Sequence, residues 1–147
     1  MLLCGLGCAA SVPQAKQPAH AAKKTLAPAA DQLAFSEFFA PGAQLKPSEK
    51  LRALAGKRVR LVGFMAQLEL PPTGAFYLVP RPLHCDESGG GTADLPPESV
   101  LVLSTASAGK VVPFLEGALE LTGTFELGNA PDSEGRVAAF RLRLDAS

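Results

Sequence analysis

The sequence contains no tryptophan and one tyrosine in 147 residues, and its 14 Lys+Arg are cancelled by 14 Asp+Glu. Single-strand nucleic-acid binding relies on aromatic stacking platforms beside a basic groove, and non-specific binding on a net positive charge. Both are missing, so nucleic-acid binding is excluded, as is attraction of a polybasic surface to a membrane. Histidine is equally scarce, with only His20 and His84. Cysteine is limited to Cys4, Cys8 and Cys85, two of them within the first eight residues, so stability must come from a core and not from a disulfide framework. What is present is 47% apolar residues, enough for one ordinary domain, with 14 Gly and 13 Pro that imply long, rigid loops around a modest core.

The first eleven residues, Met1-Leu2-Leu3-Cys4-Gly5-Leu6-Gly7-Cys8-Ala9-Ala10-Ser11, form an apolar, small-residue stretch passing through Gly-Cys. This resembles the end of a bacterial lipoprotein signal, with Cys8 as the residue to be acylated. The usual box has Leu three places and a small residue two places before the Cys, where this chain has Gly5 and Leu6. The apolar run is short and no basic segment precedes it, which a start codon further upstream would explain. Val12 to Ala30 is rich in Pro, Ala, Lys and Gln without usable periodicity, as suits a disordered tether. The expected organisation is therefore a signal and tether over 1–30, followed by a domain over 31–147. The resemblance implies attachment through lipid on Cys8 alone, at the periplasmic side of the bacterial envelope and at the outer membrane rather than the inner.

Within the domain, Leu33, Phe35, Phe38 and Phe39 share a helical stripe that Pro41-Gly42 stops, predicting a short helix or turn that plugs the core with aromatics. A second short helix is predicted after Pro47, with Ser48 as N-cap, Leu51, Leu54 and Ala55 inward, and Gly56 just past its end. The period then changes to two. Arg58 to Glu69 reads as a long first strand, with Gly63 marking a bulge where it bends from one sheet to another. Ala75 to Pro80 reads as its hairpin partner after the Pro71-Pro72-Thr73-Gly74 turn, and Val100 to Leu103 as a central strand apolar on both faces. Ala118 to Leu127 turns Leu119, Leu121, Phe125 and Leu127 inward, and Val137 to Leu144 does the same with Phe140, Leu142 and Leu144. Five short strands, the first long and bent, predict a mainly β fold: a small OB-like Greek-key barrel with one or two short N-terminal helices, with a β-sandwich as alternative.

Gly56-Lys57-Arg58-Val59-Arg60-Leu61-Val62-Gly63-Phe64-Met65, then Phe76-Tyr77-Leu78-Val79-Pro80, then a Pro-containing loop with Cys85, resembles an uncharacterised family of bacterial envelope proteins and lipoproteins. Its members have Gly-Lys-x-Val-x-Ile-x-Gly-Tyr-Met, then Leu-Val-Pro, then a loop in which His follows Cys by two residues. In this chain His84 directly precedes Cys85. The resemblance implies association with metal transport systems, zinc above all.

The 18-residue stretch 81–98 exceeds the usual length of a structureless connection and is the expected functional surface. It holds Cys85 and His84, each the domain's single example, beside Asp86, Glu87 and Asp94. Imidazole, thiolate and carboxylate are zinc donors, so Cys85, His84 and Asp86 form the candidate metal set, and Arg81, Glu87 and Asp94 the candidate partner-binding residues. Adjacent side chains on extended backbone diverge, which opposes both a shared ion and a Cys-His nucleophile pair, and leaves Cys85 packed under the loop as the plain alternative. Gly89-Gly90-Gly91 lacks the following helix and Lys of a phosphate loop and reads as flexible chain. Arg58, Arg60, Arg141 and Arg143 are expected on one face, paired across strands with Glu120 and Glu126. No acid, base and nucleophile combine into a catalytic constellation. The sequence therefore predicts a non-catalytic module that binds an envelope protein partner, accessory to a metal or lipoprotein transport system, with zinc binding at the 81–98 loop as the second reading and a thiol enzyme as the third.

Overall fold

The computed structural model describes residues 29–42, 45–83 and 92–145. Six strands form one sheet: β1 (Asp31–Leu33), β2 (Arg58–Met65), β3 (Ala75–Val79), β4 (Val100–Leu103), β5 (Ala118–Leu127) and β6 (Phe140–Leu144). The order β2-β3-β4-β6-β5 closes on itself because β5 also pairs with β2, and β4 with β6 is the parallel pair within the ring. This is the five-stranded OB-like barrel that the strand pattern predicts. The interior is a single apolar cluster fed by alternate residues of every barrel strand: Val59, Leu61 and Met65 from β2, Phe76 and Leu78 from β3, Val100 and Val102 from β4, Phe125 from β5, and Phe140 and Leu142 from β6. Leu119, Leu121, Leu127 and Leu144 pack against it, as their alternation requires.

The segment after residue 30 departs from the helical stripe. Asp31–Leu33 is a strand, parallel to β2, with Asp31 opposite Val59 and Leu33 opposite Leu61, and only Phe35–Glu37 makes a helical turn, of the 3-10 type. The reason is the edge of β2. One edge is fully paired with β5, but β3 reaches only Phe64 and Met65 on the other, so Val59 to Leu61 would keep unpaired backbone groups. Satisfying them outweighs a weak helical preference over three residues. The aromatic plug itself is as expected: Phe38 is fully buried, with its ring 5.1 Å from those of Phe35 and Phe140 and 6.1 Å from that of Phe125.

The second predicted helix is α1 (Glu49–Leu54), with the Ser48 hydroxyl accepting from the Leu51 N–H at 3.1 Å. Leu51 and Leu54 are buried, whereas Ala55 is exposed because the helix has already ended beneath it and Gly56 turns the chain at φ 77°. Ser48 Oγ also donates to the Glu37 carbonyl, and the Glu37 carboxylate accepts from Lys50 Nζ and the Ala34 N–H. The Lys50 bond first, then that from Ala34, holds the Glu37 carboxyl below its ordinary value.

Gly63 does not make a bulge. The β2–β5 register runs without a break from Arg58 opposite Thr124 to Phe64 opposite Ala118. Gly63 faces inward, and a Cβ there would lie 2.7 Å from Phe35 Cε2 and 2.8 Å from the Val79 carbonyl. Its role is close approach: the phenyl ring of Phe35 occupies the space a side chain would take. Val137 also differs from expectation. It is 59% exposed and forms only an isolated bridge with Pro131, and β6 begins three residues later.

Candidate functional site

The connections of the barrel build two surfaces worth examining. The first lies on the outer wall of β4, β5 and β6, where register sets Leu101 opposite Arg141 and Arg141 opposite Glu126. The 128–139 connection folds back over this wall as a tight turn: the Asp132 N–H donates to the Arg136 carbonyl, and the Gly135 N–H to that of Asp132, with Gly135 at φ 77°. Arg136 fastens the turn twice, through Nε to Asp132 Oδ2 at 2.7 Å and through Nη1 to the Thr73 carbonyl at 2.7 Å. Burial alone would raise the Asp132 carboxyl. The bonds it accepts from the Arg136 backbone, the Arg136 guanidinium and the Glu134 N–H outweigh burial and hold it below its ordinary value. Tyr77, half-buried on the neighbouring β3, is raised mainly by desolvation, and both Arg136 and Asp132 act on it electrostatically.

Turn and wall enclose a cleft of about 500 Å³, lined by the hydroxyls of Thr73, Ser104 and Thr105 and by the guanidiniums of Arg136, Arg141 and Arg143 beside the carboxylates of Glu126, Asp132 and Glu134. Arg141, only 8% exposed, is the one buried charged residue among those described. Its Nη1 donates to the Ala130 carbonyl, and its Nε lies 3.4 Å from Glu126 Oε2 without a hydrogen-bond partner. Glu126 Oε1 meanwhile accepts from Arg143 Nη2 at 2.7 Å. The cross-strand pairing expected of the arginines is thus present, including Arg60 to Glu120 at 3.5 Å, except that Arg58 meets Asp145 instead.

The second surface is an apolar groove of about 340 Å³ at the root of the 81–98 loop, between Pro82 and Leu83 on one side and Phe114 and Leu115 on the other, over Phe64 and Met65. Phe114 and Leu115 are 42% and 51% exposed. The 104–117 connection that carries them is laced to the β2–β3 connection by the Gly74 N–H on the Lys110 carbonyl and the Ser104 N–H on that of Gly74. Among the described residues, Glu116 is the groove's only charged lining residue.

Of the residues singled out in the sequence, Cys8, His84, Cys85, Asp86 and Glu87 lie outside the described residues. Arg81 and Asp94 are both exposed, Asp94 in a 3-10 turn over Thr92–Asp94. Among the described residues no group of three His, Cys, Asp or Glu converges on a metal position, and no helix is long and apolar enough to cross a membrane. Sequence reasoning missed Phe114, Leu115 and the Arg136 fastening. The signal for the first two was present: Val111-Val112-Pro113-Phe114-Leu115 is an apolar run that Pro113 bars from being a central strand, so its side chains had to surface in a loop.

These features define an OB-like barrel whose loops carry a polar cleft and an apolar groove. Among solved structures, the chain is similar to a DUF3299 family protein from Pseudomonas aeruginosa PAO1, with a TM-score of 0.52 and 20% identity over 80% of this chain and 94% of that one. At this identity the likeness concerns the fold, and the neighbour's family is itself of unknown function, in keeping with the uncharacterised bacterial family expected from the motifs. No family model and no curated protein matches the sequence.

Proposed function

We propose that this chain is a non-catalytic envelope lipoprotein whose barrel docks an envelope protein partner through the groove between Leu83 and Leu115. The supporting observation is the exposure of Phe114 and Leu115 around a cavity lined by Phe64, Met65, Pro82 and Leu83, where the chain enters the 81–98 stretch. The chemistry of the lining sets the partner's: apolar side chains to fill the groove and a Lys or Arg to meet Glu116, which has no cation beside it among the described lining residues. Lipid on Cys8 would hold the domain at the membrane face, raising the local concentration of a membrane-bound partner.

Two experiments test the reading. Labelled palmitate supplied to the native host should enter the protein and be lost in Cys8→Ser; label that survives the substitution removes the anchor. Capture from solubilised membranes by the full chain should yield a membrane protein that is lost with Leu115→Asp and weakened with Glu116→Lys. Identical capture by all three chains refutes the groove.

A further inference from the structure

We infer that the edge of β5 over Ala118–Leu121 is a strand-addition site for an extended protein segment in which apolar residues alternate with arginine or lysine, separate from the groove between Leu83 and Leu115. β5 is paired with β2 from Ala118 to Thr124, but β6 covers its other edge only from Gly123 to Leu127. Past Gly123 the Asp145 N–H reaches the Thr122 carbonyl, and among the described residues no backbone group bonds to Ala118–Leu121 on that side. The ladder fixes where the backbone groups point. Phe125 donates to the Lys57 carbonyl and accepts from the Gly56 N–H on the β2 side, whereas Thr122 turns its carbonyl to the β6 side. Alternation therefore directs the N–H and C=O of Ala118 and Glu120 out of the edge, a row that an extended chain matches and a compact ligand does not. The stretch carries no proline, no bulge and no inward-pointing charge, the usual protections of an exposed edge.

The covered half of the same strand shows what fits. There Phe125 and Leu127 face inward and Glu126 outward, and the strand laid against them is Phe140-Arg141-Leu142-Arg143-Leu144, whose apolar residues join the core while both arginines reach Glu126. The bare half repeats the pattern, with Leu119-Glu120-Leu121 in place of Phe125-Glu126-Leu127. Leu119 and Leu121 are only partly buried. The Glu120 side chain is 58% exposed, and its contact to Arg60 is a long 3.5 Å, since Arg60 Nη2 is held by Gln32 at 2.8 Å. A segment of the β6 type covers both leucines and sets a cation beside Glu120, ending short of Thr122, whose carbonyl is already taken. A second copy presenting this same edge would set one acidic strand against another.

The test is a titration of the full chain with acetyl-Leu-Arg-Leu-Arg-Leu-Arg-amide, followed by amide resonances and hydrogen exchange. Two control peptides are the same sequence N-methylated at every arginine and the same sequence with glutamate at every arginine. The unmodified peptide should give saturable shifts and slowed exchange at Ala118 and Glu120. The N-methylated peptide should give neither, because in antiparallel addition the arginine amides are the donors facing β5. Glu120→Lys should weaken binding about fivefold by placing like charges across the pair. Glu120→Pro removes an N–H that points away from β2, so the barrel should keep its thermal transition while peptide binding is lost. Absence of saturable shifts, equal binding of either control peptide, unchanged affinity in Glu120→Lys, or Ala118 and Glu120 amides already protected in the protein alone overturns the assignment.

Discussion

The guanidinium of Arg136 donates to the carbonyl of Thr73, 63 residues away in sequence, at 2.7 Å. This bond and the neighbouring one from Thr73 Oγ1 to Glu134 Oε2 at 3.1 Å join the 128–139 turn to the β2–β3 connection across the outer wall. Substitution Arg136→Gln should therefore release the turn while leaving the barrel intact. The expected result is faster hydrogen exchange at the amides of Asp132 and Gly135, unchanged exchange in β2 and β5, and a loss of stability of about 1–3 kcal/mol.

Asp132 gives that fastening a pH dependence. Its carboxyl is held below its ordinary value of 3.8 in the folded chain, so the folded state binds fewer protons than the unfolded one through this window. Its contribution is complete above the unfolded carboxylate range and fades as pH falls below about 4. Asp132→Asn should be less stable at neutral pH and lose less on acidification, measured as the thermal midpoint between neutrality and pH 3.

Phe38, fully buried, ties the N-terminal segment to the barrel through two ring contacts, with Phe125 and Phe140, and stacks on Phe35 of its own segment. Phe38→Ala should cost about 3–5 kcal/mol in denaturant unfolding. Exposed Leu115→Asp should leave the unfolding midpoint unchanged, since the side chain is half in water already.

Two inward glycines allow strands to meet. A Cβ at Gly123 would lie 2.2 Å from the Arg143 carbonyl oxygen, and one at Gly63 would meet the Phe35 ring first. Both also meet laddered backbone, but the Arg143 carbonyl at Gly123 is closer, at 2.2 Å, than the Val79 carbonyl at Gly63, at 2.8 Å, so Gly123→Ala should destabilise more than Gly63→Ala, with both costing at least about 1 kcal/mol. Thermal unfolding of the two variants side by side provides the ranking.

Most of the barrel was legible in the sequence because alternation is a local property: Leu119 to Leu127 and Phe140 to Leu144 declare their inner faces residue by residue. Asp31–Leu33 was not, since its strand completes an edge of β2 whose partner residues lie 28 positions downstream, which no local pattern encodes. Gly63 was recognised as exceptional, but whether it bulges or admits a neighbour depends on Phe35, again a distant partner. The functional surfaces were less legible still. The chemistry of His84 and Cys85 is plain from their types, yet their geometry lies outside the described residues. Arg141 reads as one of four surface arginines and becomes distinctive only when the returning turn buries it.

The most direct test of the docking account is photocrosslinking in the intact native envelope, with a photoreactive residue placed at Leu115 or, as a control outside the groove lining, at Thr122. The account predicts a single discrete adduct with a membrane protein from Leu115, none from Thr122, and loss of the Leu115 adduct on adding Glu116→Lys. Adducts of equal pattern from both positions, or none from Leu115, would contradict it.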